Sequence, residues 1–261
     1  MIFETPVPGK YSAVNALELA YLASFAYDGE QHCELACRTV GATQFQFIRD
    51  GETGTECFVC ADDKNIIVAF RGTKGVKDLC TDARILLNED TGTHEGFSVA
   101  LNSVWFRVSA TVREFQGRPK NVFFTGHSLG GALAMLAANY FSGVDAVYTF
   151  GQPRVGNAAF TNSYDARLRD RTFRLVDKED PIPRIPWLLG KYRHAGTEVF
   201  FNEFGGMEID PPLWRKIISD ALGLYRAWRA CQEGVLADHA IQKYLDLLHS
   251  APSQTATQNQ T

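Results

Sequence analysis

The segment Gly126-His-Ser-Leu-Gly130 holds Ser128 between two glycines, each two residues away. Residues 121–125 before it favour a strand, and the small and apolar residues after it favour a buried helix. A strand and a helix joined with this spacing form a nucleophile elbow, whose glycines leave room for a sharp turn that exposes the serine hydroxyl. The motif predicts nucleophilic chemistry at Ser128, and the helix N-terminus beneath it favours developing negative charge.

A serine hydroxyl is a weak nucleophile at neutral pH, so it needs a histidine to accept its proton and a carboxylate to orient that histidine. After such an elbow the acid precedes the histidine in the chain. A predicted strand, residues 172–176, is followed by Asp177, Glu179 and Asp180, which all compete for the role. Asp180 is favoured because the proline after it holds it in an extended turn at the end of the strand, and Asp177 is the alternative.

Three histidines follow Asp180 in the chain. His249 borders a polar tail and is the weakest candidate. His194 lies just before a predicted strand, and His239 opens a predicted helix. Chain order alone does not separate His194 from His239 as the general base.

The elements that must position these residues alternate along the chain. Short β-branched or aromatic runs alternate with segments of helical period, which predicts an α/β fold with a mostly parallel sheet covered by helices. The predicted strands are 44–48, 56–61, 65–70, 121–125, 145–150, 172–176 and 198–201, and the first two are expected to form an antiparallel edge. The predicted helices are 15–26, 97–115, 131–141 and 214–228.

The composition is that of an ordinary globular protein. The 261 residues are 45% hydrophobic and no linker interrupts the pattern, so residues 1–249 are predicted to form one domain, followed by a disordered polar tail, 250–261. A formal net charge of -4 without a basic cluster argues against a nucleic-acid partner. No apolar run is long enough for a transmembrane segment. The N-terminus shows no export signal, which leaves the compartment open between the cytoplasm and secretion from a trimmed precursor.

Two features have an ordinary structural explanation. Residues 214–228 carry an apolar stripe opposite Arg and Lys, which predicts a helix packed on the core, with a transient lipid interface as the alternative. Six cysteines are too sparse for a disulfide scaffold, so free thiols are expected. Cys57 and Cys60 lie in a predicted strand, where an offset of three sends their sulfur atoms to opposite faces, and this argues against a zinc site.

Together these residues resemble the class 3 lipase family, the fungal-lipase-like branch of the α/β-hydrolases. The resemblance runs from the first predicted helix to His239 and implies the α/β-hydrolase fold, with helices on both faces of the sheet. The matching segments are 20–27, Val68-Ala-Phe-Arg-Gly-Thr73, 78–82, His94-Glu-Gly-Phe97, Gly126-His-Ser-Leu-Gly-Gly131, Asp180-Pro-Ile-Pro183, Tyr192-Arg-His-Ala-Gly196 and Asp238-His239.

The resemblance also implies roles for individual residues. The family's acid is the aspartate of an Asp-x-[Val/Ile]-Pro segment, which falls on Asp180, and its base is a late histidine after an aspartate, which falls on His239. His194 is then structural. The family's oxyanion hole uses the backbone N–H groups that fall on Thr73 and Leu129, and its mechanism needs no cofactor or metal.

Two further histidines in the matching segments are expected to support the site. His94 is predicted to pack or to form hydrogen bonds near it, and His127, inside the elbow, is predicted to position its neighbours. Neither is expected to carry the chemistry.

The function that the resemblance implies is a serine carboxylic ester hydrolase, most similar to a triacylglycerol lipase, with an acyl ester or lipid substrate. A short-chain or aromatic-acid (feruloyl-type) esterase with the same triad is the first alternative. A catalytically silent relative that binds lipid or a protein partner is the second. The family's lid segment carries a tryptophan after its first aspartate where this chain has Leu79, which puts activation at an oil surface in doubt.

Overall fold

An eight-stranded sheet forms the centre of the protein in a computed structural model that describes residues 1–73, 90–118, 120–186, 191–212 and 239–251. The strands lie in the sheet in the order in which they occur in the chain. They are β1 (Gln44–Arg49), β2 (Glu56–Ala61), β3 (Asn65–Phe70), β4 (Asn121–His127), β5 (Ala146–Phe150), β6 (Thr172–Asp177), β7 (Thr197–Phe201) and β8 (Met207–Ile209).

The sheet is mostly parallel, and its two edges are antiparallel. Strands β3 to β7 pair in parallel, whereas β1, β2 and β3 pair as antiparallel neighbours and β8 runs against β7. In the parallel register Phe70 lies opposite Gly126, and His127 lies opposite Phe150. The residues that follow β3, β4, β5 and β6 therefore emerge at the same edge of the sheet, where ligands of such sheets bind.

Helices cover both faces of this sheet, as predicted. The described helices are α1 (Ala13–Phe25), α2 (Glu30–Thr39), α3 (Glu95–Phe115), α4 (Leu129–Tyr140), α5 (Ala158–Leu168) and α6 (Ile241–Ser250). Buried apolar residues of α3, α4 and α5 form one core with one face of the sheet, and those of α1, α2 and α6 form a second core with the other face. None of the helices in the described part of the chain is long and apolar enough to span a membrane.

The structure confirms the predicted strands and the long helices, with shifts of a few residues at their ends. Helix α4 begins at Leu129, directly after the serine, and not at Gly131. His239 precedes helix α6 by two residues and does not open it, and Ser250, predicted to start the tail, is the last residue of that helix. Predicted helix 214–228 and the lid segment around Leu79 lie outside the described residues.

Two α-helices and one strand of the described residues were not predicted. Helix α2 has only ten residues, is largely polar and buries only Cys33 and Cys37, so few apolar residues mark it. Helix α5 buries Phe160, Tyr164 and Leu168 at four-residue spacing, a signal that polar neighbours obscure. Strand β8 is only three residues long. Each of these elements is held in place by its packing on larger ones, which local propensity does not report.

The alternation of faces along β2 is confirmed. Cys57 belongs to the core on the α3–α5 side, whereas Cys60 belongs to the core on the α1–α2–α6 side. Both are free and buried, as are Cys33 and Cys37. Within the described residues, no group of three or more metal-ligating side chains could hold a metal ion.

Two glycines allow helix α4 to begin directly against the end of strand β3. A Cβ atom at Gly130 would lie 2.1 Å from the Phe70 carbonyl oxygen and 2.8 Å from its carbon. A Cβ atom at Gly126 would lie 2.3 Å from the carbonyl carbon of Gly130. Any side chain at either position therefore forces the backbone apart.

We predict that Gly130→Ala destabilises the protein by about 3 kcal/mol, because the clash is with backbone that cannot rotate away. Helix propensity alone predicts the opposite sign, since alanine is about 1 kcal/mol better than glycine within a helix. The matched control is Gly51→Ala, where a Cβ atom would meet nothing within 4 Å. Urea denaturation of both variants checks the prediction, and equal midpoints would contradict it.

Candidate active site

Ser128 occupies a strained turn between β4 and α4. Its backbone has φ 59° and ψ -130°, a conformation that costs a non-glycine residue about 1–3 kcal/mol. The turn is held by the packing of Gly126 on Gly130 and by a hydrogen bond of 2.9 Å from the Ser128 N–H to the Phe150 carbonyl. The side chain is buried, and its hydroxyl oxygen has no hydrogen-bond partner among the described residues.

Asp180 follows β6 and is fully buried. Its Oδ1 accepts a hydrogen bond of 2.9 Å from the Ile182 N–H, and its Oδ2 accepts one of 2.6 Å from the Tyr244 hydroxyl. The Nδ1 atom of His239 lies 2.8 Å from Oδ2 and 3.0 Å from Oδ1. These donors replace the water that a buried carboxylate loses, so Asp180 is stabilised as an anion that orients one imidazole ring.

His239 is the histidine that the structure places against this acid. Because Asp180 accepts from Nδ1–H, the neutral ring presents a free lone pair at Nε2, as a general base must. Nε2 is buried and, like the Ser128 hydroxyl, has no hydrogen-bond partner among the described residues. The ring lies beside the elbow, since its centroid is 4.5 Å from that of His127.

Gly151, which follows β5, leaves the space that this acid and base require. A Cβ atom there would lie 2.7 Å from Asp180 Oδ2 and 3.0 Å from His239 Nδ1. Its φ of +60° is also a conformation that favours glycine. Residues that follow the ends of β4, β5 and β6, namely Ser128, Gly151 and Asp180, are therefore brought to one edge of the sheet.

Asp177, the alternative acid, does not contact His239 through any hydrogen bond found among the described residues. The backbone of Asp177 supports the turn, because its carbonyl accepts from the Asp180 N–H at 3.1 Å and its N–H donates to the Tyr244 hydroxyl at 3.3 Å. Its Oδ1 accepts from the Glu179 N–H at 3.3 Å. The carboxylate against His239 is that of Asp180, as sequence reasoning favoured.

The other two histidines that follow Asp180 in the chain, His194 and His249, make different contacts. The Nε2–H of His194 donates to the Pro183 carbonyl at 2.6 Å, a contact that fixes the turn after Asp180. Burial, together with the guanidinium groups of Arg174 and Arg154, lowers the His194 pKa well below its usual value, so this ring stays neutral. His249 lies in an exposed contact with Tyr21, 2.7 Å from its hydroxyl.

Tyr244 is a member of the site that sequence reasoning missed. It lies on α6, five residues after His239, and its hydroxyl donates to Asp180. Burial and the neighbouring charge of Asp180 raise its pKa well above the usual value, which keeps it a proton donor. The available signal was a tyrosine on the buried face of the predicted last helix, where a phenol needs a polar partner.

The two predicted oxyanion donors lie on elements that meet at the elbow. Leu129 is the first residue of α4, so its N–H belongs to the free N-terminal end of the helix. Thr73 follows β3, and the residue before it approaches the elbow so closely that a Cβ on Gly72 would lie 2.7 Å from the His127 carbonyl oxygen. Arg71, two residues before Thr73, is held by an ion pair with the buried Glu56.

His94 has the packing role that the sequence predicted. Its ring stacks on Phe97, with centroids 4.0 Å apart, and is buried. Its N–H donates to the Val155 carbonyl at 2.9 Å, which ties the start of α3 to the loop after β5. These contacts are structural ones.

The fold and the serine turn define a protein of the α/β-hydrolase class. Comparison with known proteins narrows the class, because residues 67–189 match the model of the family described as lipase (class 3). A secreted mono- and diacylglycerol lipase of Fusarium solani is 33% identical over 163 residues, which are 58% of this chain and 49% of that protein. Over these residues the chain is similar to the class 3 lipases.

Further relatives agree with this placement. A secreted mono- and diacylglycerol lipase of Penicillium cyclopium is 28% identical over 210 residues, 74% of this chain and 68% of that protein. A solved triacylglycerol lipase, described as having a serine-protease triad at its catalytic centre, matches with a TM-score of 0.60 and 26% identity over 72% of this chain and 80% of its own. The matched region spans about half the length of the Fusarium relative.

Asp180 and its alternative, Asp177, can be separated by mutation. We predict that Asp180→Asn lowers kcat of ester hydrolysis by about 10⁴-fold, because an amide stabilises the wrong tautomer of the base. Asp177→Asn should keep kcat within about tenfold, since the contacts of Asp177 to Asp180 and Tyr244 come from its backbone. Steady-state kinetics of both variants test the assignment, and the reverse order of effects would refute it.

The buried neutral histidines give the protein a defined acid sensitivity. The pKa values of His127 and His194 are lowered well below 6.5, chiefly by burial. Below about pH 6.5 the unfolded chain therefore binds protons that the folded protein does not, and stability falls by up to about 1.4 kcal/mol per pH unit for each histidine. Urea denaturation from pH 8 to pH 5 measures this slope.

His194→Gln is the matched variant for this test, because a glutamine amide can still donate to the Pro183 carbonyl but does not titrate. The unfolding free energy of this variant should fall less steeply than that of the wild type between pH 6.5 and pH 5. Parallel profiles would show that His194 titrates normally in the folded protein.

Proposed function

We propose that the protein is a serine carboxylic ester hydrolase that acts on acyl glycerols or related lipid esters, with Ser128, His239 and Asp180 as its catalytic triad. One observation carries the proposal. Asp180 holds Nδ1 of His239, while the opposite nitrogen and the Ser128 hydroxyl are both buried without a hydrogen-bond partner among the described residues. Buried polar atoms are seldom left unsatisfied unless they have a function.

In the proposed reaction, His239 Nε2 takes the hydroxyl proton as Ser128 Oγ attacks the ester carbonyl carbon. The tetrahedral intermediate collapses when the C–O bond to the alcohol breaks and the imidazolium returns the proton to the departing oxygen. Water, deprotonated by His239, then attacks the acyl-enzyme; the bond to Ser128 Oγ breaks, the imidazolium returns the proton to Oγ, and the acid is released. Asp180 stabilises the imidazolium in both halves of the reaction.

The backbone N–H groups of Leu129 and Thr73 are proposed as the oxyanion hole. Both follow elements that end at the elbow, and the Leu129 N–H belongs to a helix N-terminus, where negative charge is favoured. A single donor of this kind contributes about 3 to 4 kcal/mol to stabilising the transition state. No step requires a cofactor or a metal.

The substrate class is proposed from the family and from the names of the relatives, which are mono- and diacylglycerol lipases. Leu79, where the family's lid carries a tryptophan, favours a second candidate, an esterase for short-chain or aromatic acids with the same triad. Hydrolysis of esters with short and long acyl chains separates the two substrate classes.

We further propose that residues 1–249 form one domain.

We predict that hydrolysis of p-nitrophenyl esters falls by about 10⁴- to 10⁶-fold in Ser128→Ala, because the nucleophile is removed. Ser103→Ala is the matched control, since this serine lies on α3 and its hydroxyl donates to the Ala100 carbonyl. Rates are measured with butyrate and palmitate esters, in solution and on mixed micelles. A preference for palmitate on micelles supports lipid esters, and a preference for soluble butyrate supports the second candidate.

A fluorophosphonate probe tests the triad independently of the substrate. It should label wild type and Ser103→Ala stoichiometrically and leave Ser128→Ala unlabelled. An unlabelled wild type without esterase activity would overturn the proposed function in favour of a catalytically silent binding protein.

A further inference from the structure

His127, the residue before the proposed nucleophile, is engaged at both ring nitrogens. Nε2 lies 2.6 Å from the main-chain oxygen of His239, and Nδ1 lies 2.8 Å from the hydroxyl of Tyr27. The ring is buried and tilted 31° against the ring of His239. The proposed chemistry uses none of these contacts.

The partners of His127 select one protonation state. Burial and the neighbouring His239 lower the His127 pKa well below its usual value, so the ring is neutral. A carbonyl oxygen only accepts hydrogen bonds, so Nε2 must carry the proton. Nδ1 is then an acceptor, and the Tyr27 hydroxyl donates to it.

Tyr27 connects this histidine to the segment after β3 that holds the proposed oxyanion donor. Its hydroxyl lies against the backbone of Gly72, the residue before Thr73. Only a glycine fits here, because a Cβ atom at that position would lie 2.0 Å from the Tyr27 hydroxyl. Burial raises the pKa of Tyr27, so the phenol remains a donor.

The contact with His239 supplies a restraint that Asp180 cannot. Asp180 holds the ring at Nδ1, and a ring held at one atom can still pivot about that atom and swing Nε2 away from the serine. The hydrogen bond from His127 fixes the main chain of the same residue. Two anchors, one on the side chain and one on the main chain, define the direction of Nε2.

We propose that His127 and Tyr27 are positioning residues that couple three parts of the site: His127 anchors the main chain of His239, and Tyr27 holds Nδ1 of His127 while packing against Gly72. The inference rests on the proposed function. It assigns these residues no contact with substrate, and their effect is expected on kcat rather than on KM.

Two substitutions of His127 separate its two contacts. The amide nitrogen of glutamine takes the place of Nε2, so His127→Gln keeps a donor to the His239 carbonyl and loses the contact with Tyr27. Asparagine reaches only the place of Nδ1, so His127→Asn keeps an acceptor for Tyr27 and loses the contact with His239. Both replace a buried ring by an amide, which matches their effects on packing.

We expect His127→Asn to lower kcat by about 100-fold with KM within about threefold, because small displacements of a catalytic group have effects of this size. His127→Gln should retain kcat within about fivefold of wild type, although both variants lose similar thermal stability. The rate of fluorophosphonate labelling should follow kcat. Equal kcat in the two variants, whether high or low, would overturn the proposal, since a purely structural role does not distinguish them.

Tyr27→Phe provides a second test that does not depend on how the His127 variants fold. It should lower kcat by about tenfold at unchanged KM, and the Nδ1 signal in the nitrogen NMR spectrum of His127 should shift because its hydrogen bond is lost, while the ring keeps its proton on Nε2. An unchanged spectrum and kcat would refute the role of Tyr27. If wild type itself shows no hydrolysis that depends on Ser128, the proposed function has failed, and this outcome is distinct from equal activity of the variants.

Discussion

The close approach of two backbones at the elbow is the constraint on which the site depends. Helix α4 starts within van der Waals contact of the end of β3, and only glycine at positions 126 and 130 allows it. This contact forces Ser128 into its strained conformation and brings the helix N-terminus beside residues 71–73. A looser turn would be less strained, but it would separate the serine from the neighbouring strand end that carries Thr73.

The buried acid Asp180 and the base His239 lie next to this turn. Removing the Asp180 carboxylate from water costs several kcal/mol, which its hydrogen bonds to Ile182, Tyr244 and His239 offset. The Ser128 hydroxyl and His239 Nε2 are left without such partners in the described structure, which lowers stability. Departures from complete hydrogen bonding are expected where a protein acts on a ligand.

Sequence reasoning was accurate where local and global signals agree. Strands β2 and β3 were predicted with their observed ends, because each is a continuous run of strand-forming residues and all their residues are buried. Helix α2 and strand β8 were missed, because α2 is largely polar with two buried residues and β8 has only three residues. Packing against the rest of the protein holds both.

The sequence by itself determined the serine turn, the sheet that carries it and the preference for Asp180, because each follows from residue types within a few positions of one another. Without the family resemblance it did not choose between His194 and His239, and it did not reveal Tyr244 or the contacts of His127. The contacts of His239 with Asp180 and with His127 join residues that are 59 and 112 positions apart in the chain. Only the register of the sheet and the docking of α1 and α6 on one of its faces bring them together, so tertiary structure decided them.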